Sequence, residues 1–388
     1  MISFTYHNPA KILFGIGAEK ELAGLLQQEK ATSLLLVYSG EYIKDLGIYD
    51  VIQKACRELN IALYENGNVQ PNPNIGLIRA LVALGKKQSI DFVLAVGGGS
   101  VIDTAKAVAL GIPYDKDVWD FFINDLAPAN IIPVGVISTL PASGSETSNC
   151  VIISKGLLKL GFEHDSVIPK FAILNPEYTL TLPAYQTSCG VADILSHLLE
   201  RYFSDVPHTD VTDYLIEGAV KALLVNGERL IANPRDINAR AEIQWLASIA
   251  HNNLLDTGRI ADWGSHRIEH ELSAQYGVTH GEGMAVVLVA WVKYVAVRKP
   301  QKLAQLANRV FGVDYVTHTL TEMAHQLADH LKRFFLFLNL KINLTSLGIG
   351  RSHFKEMAAR ATKNGTRSVG HYFPLDEQGI EDVLEIAL

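Results

Sequence analysis

Residues 91–107 read Asp91-Phe92-Val93-Leu94-Ala95-Val96-Gly97-Gly98-Gly99-Ser100-Val101-Ile102-Asp103-Thr104-Ala105-Lys106-Ala107. Phe92 to Val96 form an apolar run too short for a helix, closed by three consecutive glycines. Such a run predicts a strand buried on both faces, as in the centre of a parallel sheet. A helix-forming stretch follows at once. The glycines let backbone N–H groups approach a diphosphate with no Cβ in the way, and the helix N-terminus behind them adds partial positive charge. Neither Gly-x-Gly-x-x-Gly nor Gly-x-x-x-x-Gly-Lys-Ser/Thr occurs in the chain. The same residues would also suit a plain strand-to-helix turn, with Ser100 as N-cap and Asp103 as its acidic capping partner.

The alternation extends outward in both directions. Ala31 to Tyr38 is a second continuous apolar run, closed by Ser39-Gly40, and a helical pattern follows to about Asn60. Ile61 to Tyr64, Ile131 to Ser138 and Phe171 to Leu174 predict further strands, and Asn72-Pro73-Asn74 starts a helix that runs to about Leu84. Residues 2–14 alternate loosely, as a short strand or two would. Strands alternating with helices predict a doubly wound α/β domain with a mostly parallel sheet. Beyond Pro183 the period changes. Segments 184–203, 208–232, 236–256, 262–275, 282–298, 300–310 and 316–338 carry 3.6-residue periodicity with no strand among them, so the second domain is expected to be all helical. Asn175 to Pro183 is the joint, giving domains at 1–178 and 179–388. A cleft between them would set the glycine loop opposite the second domain's polar residues, where ligand sites are favoured.

Composition narrows the class. The 388 residues are 48% hydrophobic and 19% charged, which suits a globular chain with two cores. A net charge of −7 argues against nucleic acid and anionic membrane as partners. Cys56, Cys150 and Cys189 are odd in number and widely spaced, against a disulfide framework or a thiolate zinc site. The N-terminus lacks the basic-then-apolar order of a signal peptide, and Lys293 interrupts the most apolar segment, Gly283 to Val297. These features predict a soluble cytosolic protein.

Chemistry concentrates between Gly190 and His280. Asp193 and His197 are four apart, one above the other on a helix, and His266 and His270 repeat the spacing before His280. One carboxylate and several imidazoles in otherwise apolar helical sequence are the parts of a divalent metal site with room for a substrate oxygen. The spacing does not decide which of the five bind. Thirteen histidines are present, and an Asp-x-x-x-His pair also arises by chance. In the first domain, the hydroxyl-rich loop Ser138 to Thr147, with Ser143 in it, can bond ribose or nicotinamide amide groups. At Ser39-Gly40-Glu41 an acid could accept both ribose hydroxyls of NAD and repel the extra phosphate of NADP.

Taken together, these residues resemble the iron-containing (group III) alcohol dehydrogenases, especially the bacterial NAD(P)H-dependent butanol dehydrogenase branch. The resemblance spans nearly the whole chain: Phe4, Tyr6, Pro9, Phe14 and Gly15; Gly97-Gly98-Gly99-Ser100-x-x-Asp103-x-x-Lys106; Asp117-x-Trp119-Asp120; Thr139-Leu140-x-Ala142-x-Gly144-Ser145-Glu146; Lys170-Phe171-x-x-Leu174-x-Pro176; Ala192-Asp193-x-x-Ser196-His197; His270-Glu271-Leu272-Ser273; and Thr279-His280-Gly281. It implies the two-domain architecture shared with dehydroquinate synthase and hydride transfer between a nicotinamide and a small primary alcohol or aldehyde such as butanol or butyraldehyde. The implied metal is Fe²⁺, with Zn²⁺ or another divalent ion compatible, and its ligands fall on Asp193, His197, His266 and His280. His270 matches a proton-relay residue outside that set, and Asp103 is assigned to both the coenzyme site and catalysis. Gly97 to Ser100 match pyrophosphate contacts, and Thr139, Leu140, Lys159 and Tyr178 the nicotinamide-ribose side. One carboxylate and three imidazoles would leave a divalent site at +1. A homodimer through the N-terminal strands is implied.

Two places depart from the family. NADP-preferring relatives carry glycines, serine and lysines after the first strand; here Glu41 and Asp45 lean towards NAD(H), while Lys44 keeps NADP(H) open. Lys332 to Leu340 is unusually apolar. The alternatives are a polyol dehydrogenase of the glycerol type and a dehydroquinate-synthase-type lyase. The lyase would require a basic cluster for a phosphorylated substrate, and none surrounds the candidate ligands. A non-catalytic cofactor-binding protein would be expected to have lost a ligand position, and all are filled.

Overall fold

The computed structural model describes residues 1–124 and 126–388. The chain divides into two compact units, His7–Leu182 and Pro183–Leu388, the latter with Met1–Tyr6 attached. Among the described residues no single helix is long and apolar enough to cross a membrane.

The first unit holds a parallel sheet of β1 (Lys11–Phe14), β2 (Ser33–Tyr38), β3 (Ala62–Asn66), β4 (Phe92–Gly97), β5 (Val134–Ser138) and β8 (Phe171–Leu174), in the order β1-β8-β5-β4-β2-β3. Its helices are α1 (Leu22–Gln28), α2 (Tyr42–Asp45), α3 (Ile48–Leu59), α4 (Ile75–Lys87), α5 (Gly99–Gly111) and α6 (Asp120–Asn124). Side chains alternate across the strands. Leu35, Val37, Val93 and Ala95 enter the core formed with α4 and α5, while Leu34, Leu36, Phe92 and Leu94 enter the one formed with α1 and α3. Burial on both faces is why β2, β4 and β5 read as unbroken apolar runs.

The structure refines the sequence reading at three places. Residues 2–10 form no strand; the first begins at Lys11, and Ile2 N–H instead donates to the Gly258 carbonyl at 3.1 Å. The first unit also contains an antiparallel hairpin, β6 (Cys150–Lys155) and β7 (Leu158–Glu163), turned at Gly156 with φ 59°. Lastly, the N-cap of α5 is Gly98, not Ser100, so no capping pair forms with Asp103.

The second unit is built from α7 (Ala184–Tyr202), α8 (Asp210–Ala232), α9 (Ile237–Ala250), α10 (Gly264–Tyr276), α11 (His280–Ala296), α12 (Gln301–Phe311), α13 (Leu320–Phe337), α14 (Phe354–Ala361) and α15 (Glu377–Ile386). No strand is found among its described residues. α11 is almost wholly buried and, but for His280, Glu282 and Lys293 near its ends, apolar on every face, as suits a helix at the centre of a bundle. A Cβ at Gly281 would overlap the Cys189 carbonyl oxygen, so α11 begins in backbone contact with α7. That contact sets His280 beside the turn of α7 that carries Asp193. In the apolar segment 332–340, Phe334 and Phe335 are buried, while Leu336 and Phe337 are exposed.

Candidate active site

In the helical unit, α7 supplies Asp193 and His197, α10 supplies His266 and His270, and α11 starts at His280. Asp193 Oδ1 is the hub. It lies 3.3 Å from His280 Nε2, 3.7 Å from His197 Nε2 and 3.9 Å from His266 Nε2. Tetrahedral ligand atoms bonded at about 2.0–2.2 Å stand roughly 3.3–3.6 Å apart; the ligand atoms of Asp193, His266 and His280 lie within 4.8 Å of one another and suit a single small cation, with His197 Nε2 beside the same carboxylate oxygen. The His197 and His266 rings stack at 4.8 Å, and His280 lies 5.2 Å from His266.

The protonation pattern bears on the fit. Glu200 is acceptor-only when ionised, so His266 Nδ1–H donates to its Oε2 at 2.7 Å. His280 Nδ1 makes the equivalent contact with Glu269 Oε2. Both Nε2 atoms therefore turn lone pairs towards the Asp193 carboxylate. Asp193 Oδ1 and His266 Nε2 are buried without a hydrogen-bond partner. Facing acceptors repel each other, and a cation among them removes that penalty. Burial raises the Asp193 carboxyl, but the positive charge that protonated His197, His280 and His266 rings bring outweighs it and lowers the group well below the carboxylate range; a cation among neutral rings acts in the same direction. Burial also pushes His197 well below its usual value, into the neutral form that a ligand requires.

His270 is half-buried, its ring 5.7 Å from His280 and 6.3 Å from His266. With Glu269 and His280 it forms a second group whose ligand atoms lie within 4.8 Å of one another. Several neighbours were not anticipated from sequence. His251 lies 4.6 Å from His197, and Trp263 lies 5.2 Å from His266 with the Arg201 guanidinium 4.6 Å over its face. Trp263 holds φ 61°, a conformation that costs a bulky residue about 1–3 kcal/mol and is commonest at functional sites. Glu200 and Glu269 were not anticipated either, since each contacts an imidazole carried by a different helix.

In the α/β unit the carboxyl ends of β2, β4 and β5 lie side by side. The chain order reverses between β2 and β4, the place where open α/β sheets form ligand crevices. Ser39, Gly40 and Glu41 leave β2, with Glu41 paired to Lys44 at 2.5 Å. Gly97 to Ser100 leave β4. Cβ atoms at Gly98 and Gly99 would come within 3.0 Å of Leu140 and 2.5 Å of Ser143 Oγ, so these glycines also admit the neighbouring loop. Thr139 Oγ1 bonds the Tyr42 hydroxyl at 3.0 Å, joining the β5 and β2 ends.

Asp103 needs a different reading from the one the sequence suggested. It accepts Ser145 Oγ–H at 2.6 Å and Ile152 N–H at 3.0 Å, and burial raises it although Lys106 opposes the effect. These contacts make it a brace between α5 and the hairpin rather than a proton carrier open to substrate. Lys159 acts on the same carboxylate from β7. Lys106, fully buried and lowered to about 8 by burial, donates to the Ser148 and Cys150 carbonyls. Tyr178 is buried, and burial together with Glu19 raises its hydroxyl.

Residues 9–176 match the family described as iron-containing alcohol dehydrogenase, and residues 187–388 match the C-terminal region of the Fe-containing alcohol dehydrogenase family. The chain belongs to the iron-containing alcohol dehydrogenase family. NADH-dependent butanol dehydrogenase A of Clostridium acetobutylicum is 36% identical over 389 residues, covering 100% of this chain and 99% of that one. The NADPH-dependent aldehyde reductase YqhD of Escherichia coli is 32% identical, covering 97% of each. The crystal structure of NADH-dependent butanol dehydrogenase A from Thermotoga maritima superposes with a TM-score of 0.94 at 32% identity, covering 99% of this chain and 98% of that one. Within the family the chain falls in the butanol dehydrogenase branch, as an enzyme that uses a divalent metal and a nicotinamide coenzyme.

Proposed function

We propose that the enzyme interconverts small primary alcohols and aldehydes, butyraldehyde among them, at a metal held by Asp193, His197, His266 and His280. The convergence of three imidazole Nε2 atoms on Asp193 Oδ1, with buried acceptors otherwise unmatched, carries this reading. A divalent ion there supplies Lewis-acid polarisation of a substrate oxygen, and the nicotinamide supplies or accepts the hydride. The chain's own residues do the rest. The four ligands fix the site, the apolar α11 behind it keeps bulk water out, and a His270 ring nitrogen carries a proton to or from solvent. Family membership favours Fe²⁺; an oxygen–nitrogen donor set also accepts Zn²⁺.

NAD(H) is the proposed coenzyme, bound by Gly97 to Ser100 with Ser39, Gly40, Glu41, Thr139, Leu140, Ser143, Lys159 and Tyr178 around it. The Glu41–Lys44 pair supports this preference, because a 2′-phosphate would have to displace Glu41 from the only lysine of that loop. A homodimer through the N-terminal strands is proposed on the edge position of β1 and the exposure of Phe4, Tyr6, Phe14 and Ile16. No feature favours the polyol or lyase alternatives.

The test is elemental analysis with NADH and NADPH oxidation by butyraldehyde, before and after chelation. The expected result is one metal per chain and faster oxidation of NADH, lost on chelation and restored by Fe²⁺ or Zn²⁺. Metal without oxidation of either coenzyme would overturn the activity, and no metal would overturn the site.

A further inference from the structure

We infer that Glu200 and Glu269 are positioning residues that orient two of the metal-binding imidazoles. The inference rests on the metal reading above. The two acids are 1% and 0% exposed, each against the Nδ1 side of a different ligand. Their placement follows a rule along the chain. α7 carries Glu200, which orients His266 on α10; α10 carries Glu269, which orients His280 on α11. Each helix thus orients the imidazole of the next, so the three can hold the site only in one mutual arrangement.

Both acids are themselves held. Glu200 Oε1 accepts the His266 N–H at 3.1 Å and the Ser265 hydroxyl. Glu269 Oε1 accepts the Ser273 hydroxyl, and a Cβ at Gly283 would come within 2.7 Å of that oxygen, so the glycine makes room for it. His197 is different: its Nδ1 is buried without a partner. A carboxylate on the far nitrogen fixes the tautomer, raises ligand basicity and strengthens metal binding.

The experiment titrates the full-length metal-free protein with Co²⁺ against a chelator of known affinity, for wild type, Glu200→Gln and Glu269→Gln. Circular dichroism and the melting temperature of the metal-free forms report the fold. The expected result is a folded variant whose Co²⁺ affinity falls about 10–100-fold, with a shifted Co²⁺ d–d absorption spectrum. A purely structural carboxylate would lower the melting temperature and leave affinity and spectrum unchanged, and that outcome overturns the inference. Glu200 also holds the start of α10; if its variant does not fold, Glu269→Gln decides by the same criterion. A wild-type protein that binds no Co²⁺ would instead remove the metal centre itself, a failure distinct from that of the two acids.

Discussion

His266 and His270 lie one helical turn apart on α10, yet their surroundings separate their tasks. His266 Nε2 faces Asp193 Oδ1 and is backed by Glu200; the His270 ring stands 6.3 Å from His266 in the less buried part of the site. His266→Ala is expected to lose metal and activity together. His270→Ala is expected to retain metal at wild-type stoichiometry, lower kcat by about 100-fold and flatten the acid limb of the pH–rate profile for alcohol oxidation and the alkaline limb for aldehyde reduction, because a proton must then move through water. Metal analysis beside pH–rate profiles checks both, and the reverse pattern would exchange the two roles. The pairs Asp193/His197 and His266/His270 are legible in the sequence because i, i+4 spacing on a helix needs no tertiary knowledge. Glu200 and Glu269 are not, since each meets its imidazole on a different helix and only the folded chain brings the partners together.

At the scale of elements, the crossing of α7 and α11 places the site. Gly281 has negative φ, so its absence of side chain serves close approach and not backbone freedom. Gly281→Ala should force the two helices apart, destabilising the fold by about 3 kcal/mol and displacing His280 from Asp193. Urea unfolding and metal affinity should both register the change, and wild-type values in both would refute the close-packing role. Further along α8, Asp213 accepts Arg259 at 2.6 Å, Gln305 at 2.8 Å and Lys302, all in a buried cluster. Burial raises its carboxyl, but Lys302 and Arg259 outweigh that and hold it below the ordinary value. The native state therefore binds this proton more weakly than the unfolded chain. The stabilisation is complete above the unfolded carboxyl value of about 3.9 and is lost as pH falls through it towards the native value. Asp213→Asn should cost about 3–5 kcal/mol at pH 7, because Arg259 and Lys302 are left without a counter-charge. The difference from wild type should shrink in urea melts below pH 4. Elements were legible where burial is one-sided or complete: β2 and β4 as apolar runs, α7 to α13 by period. The β6–β7 hairpin was hidden because Lys155-Gly156-Leu157-Leu158 lacks the usual Asn-Gly turn signal and its strands are half-buried. The short helices α14 and α15 follow a glycine- and polar-rich stretch that obscures their period.

For the whole molecule, two units each carry one half of the proposed chemistry: coenzyme loops at a sheet edge in one and metal ligands on three helices in the other. A change of period near Pro183 is readable in the sequence, since parallel strands and bundle helices bury their apolar residues with different spacing; the units divide between Leu182 and Pro183, later than the expected end of the first domain at 178. The contribution of Met1–Tyr6 to the helical unit is not readable there, because a short arm carries no period of its own and only tertiary contacts assign it. The two halves should therefore answer to different ligands. Metal added to the metal-free protein at about 1,000 times its Kd should stabilise the native state by roughly 4 kcal/mol. Hydrogen exchange should slow first in α7 around Asp193–Glu200 and at the starts of α10 and α11, where the ligands and their backing acids lie. NADH alone should slow exchange at 39–41, 97–100 and 139–143 instead. Protection by metal confined to surface acids, with α7 and the start of α10 unchanged, would mean that the Asp193 cluster is a set of buried polar contacts and not a metal centre.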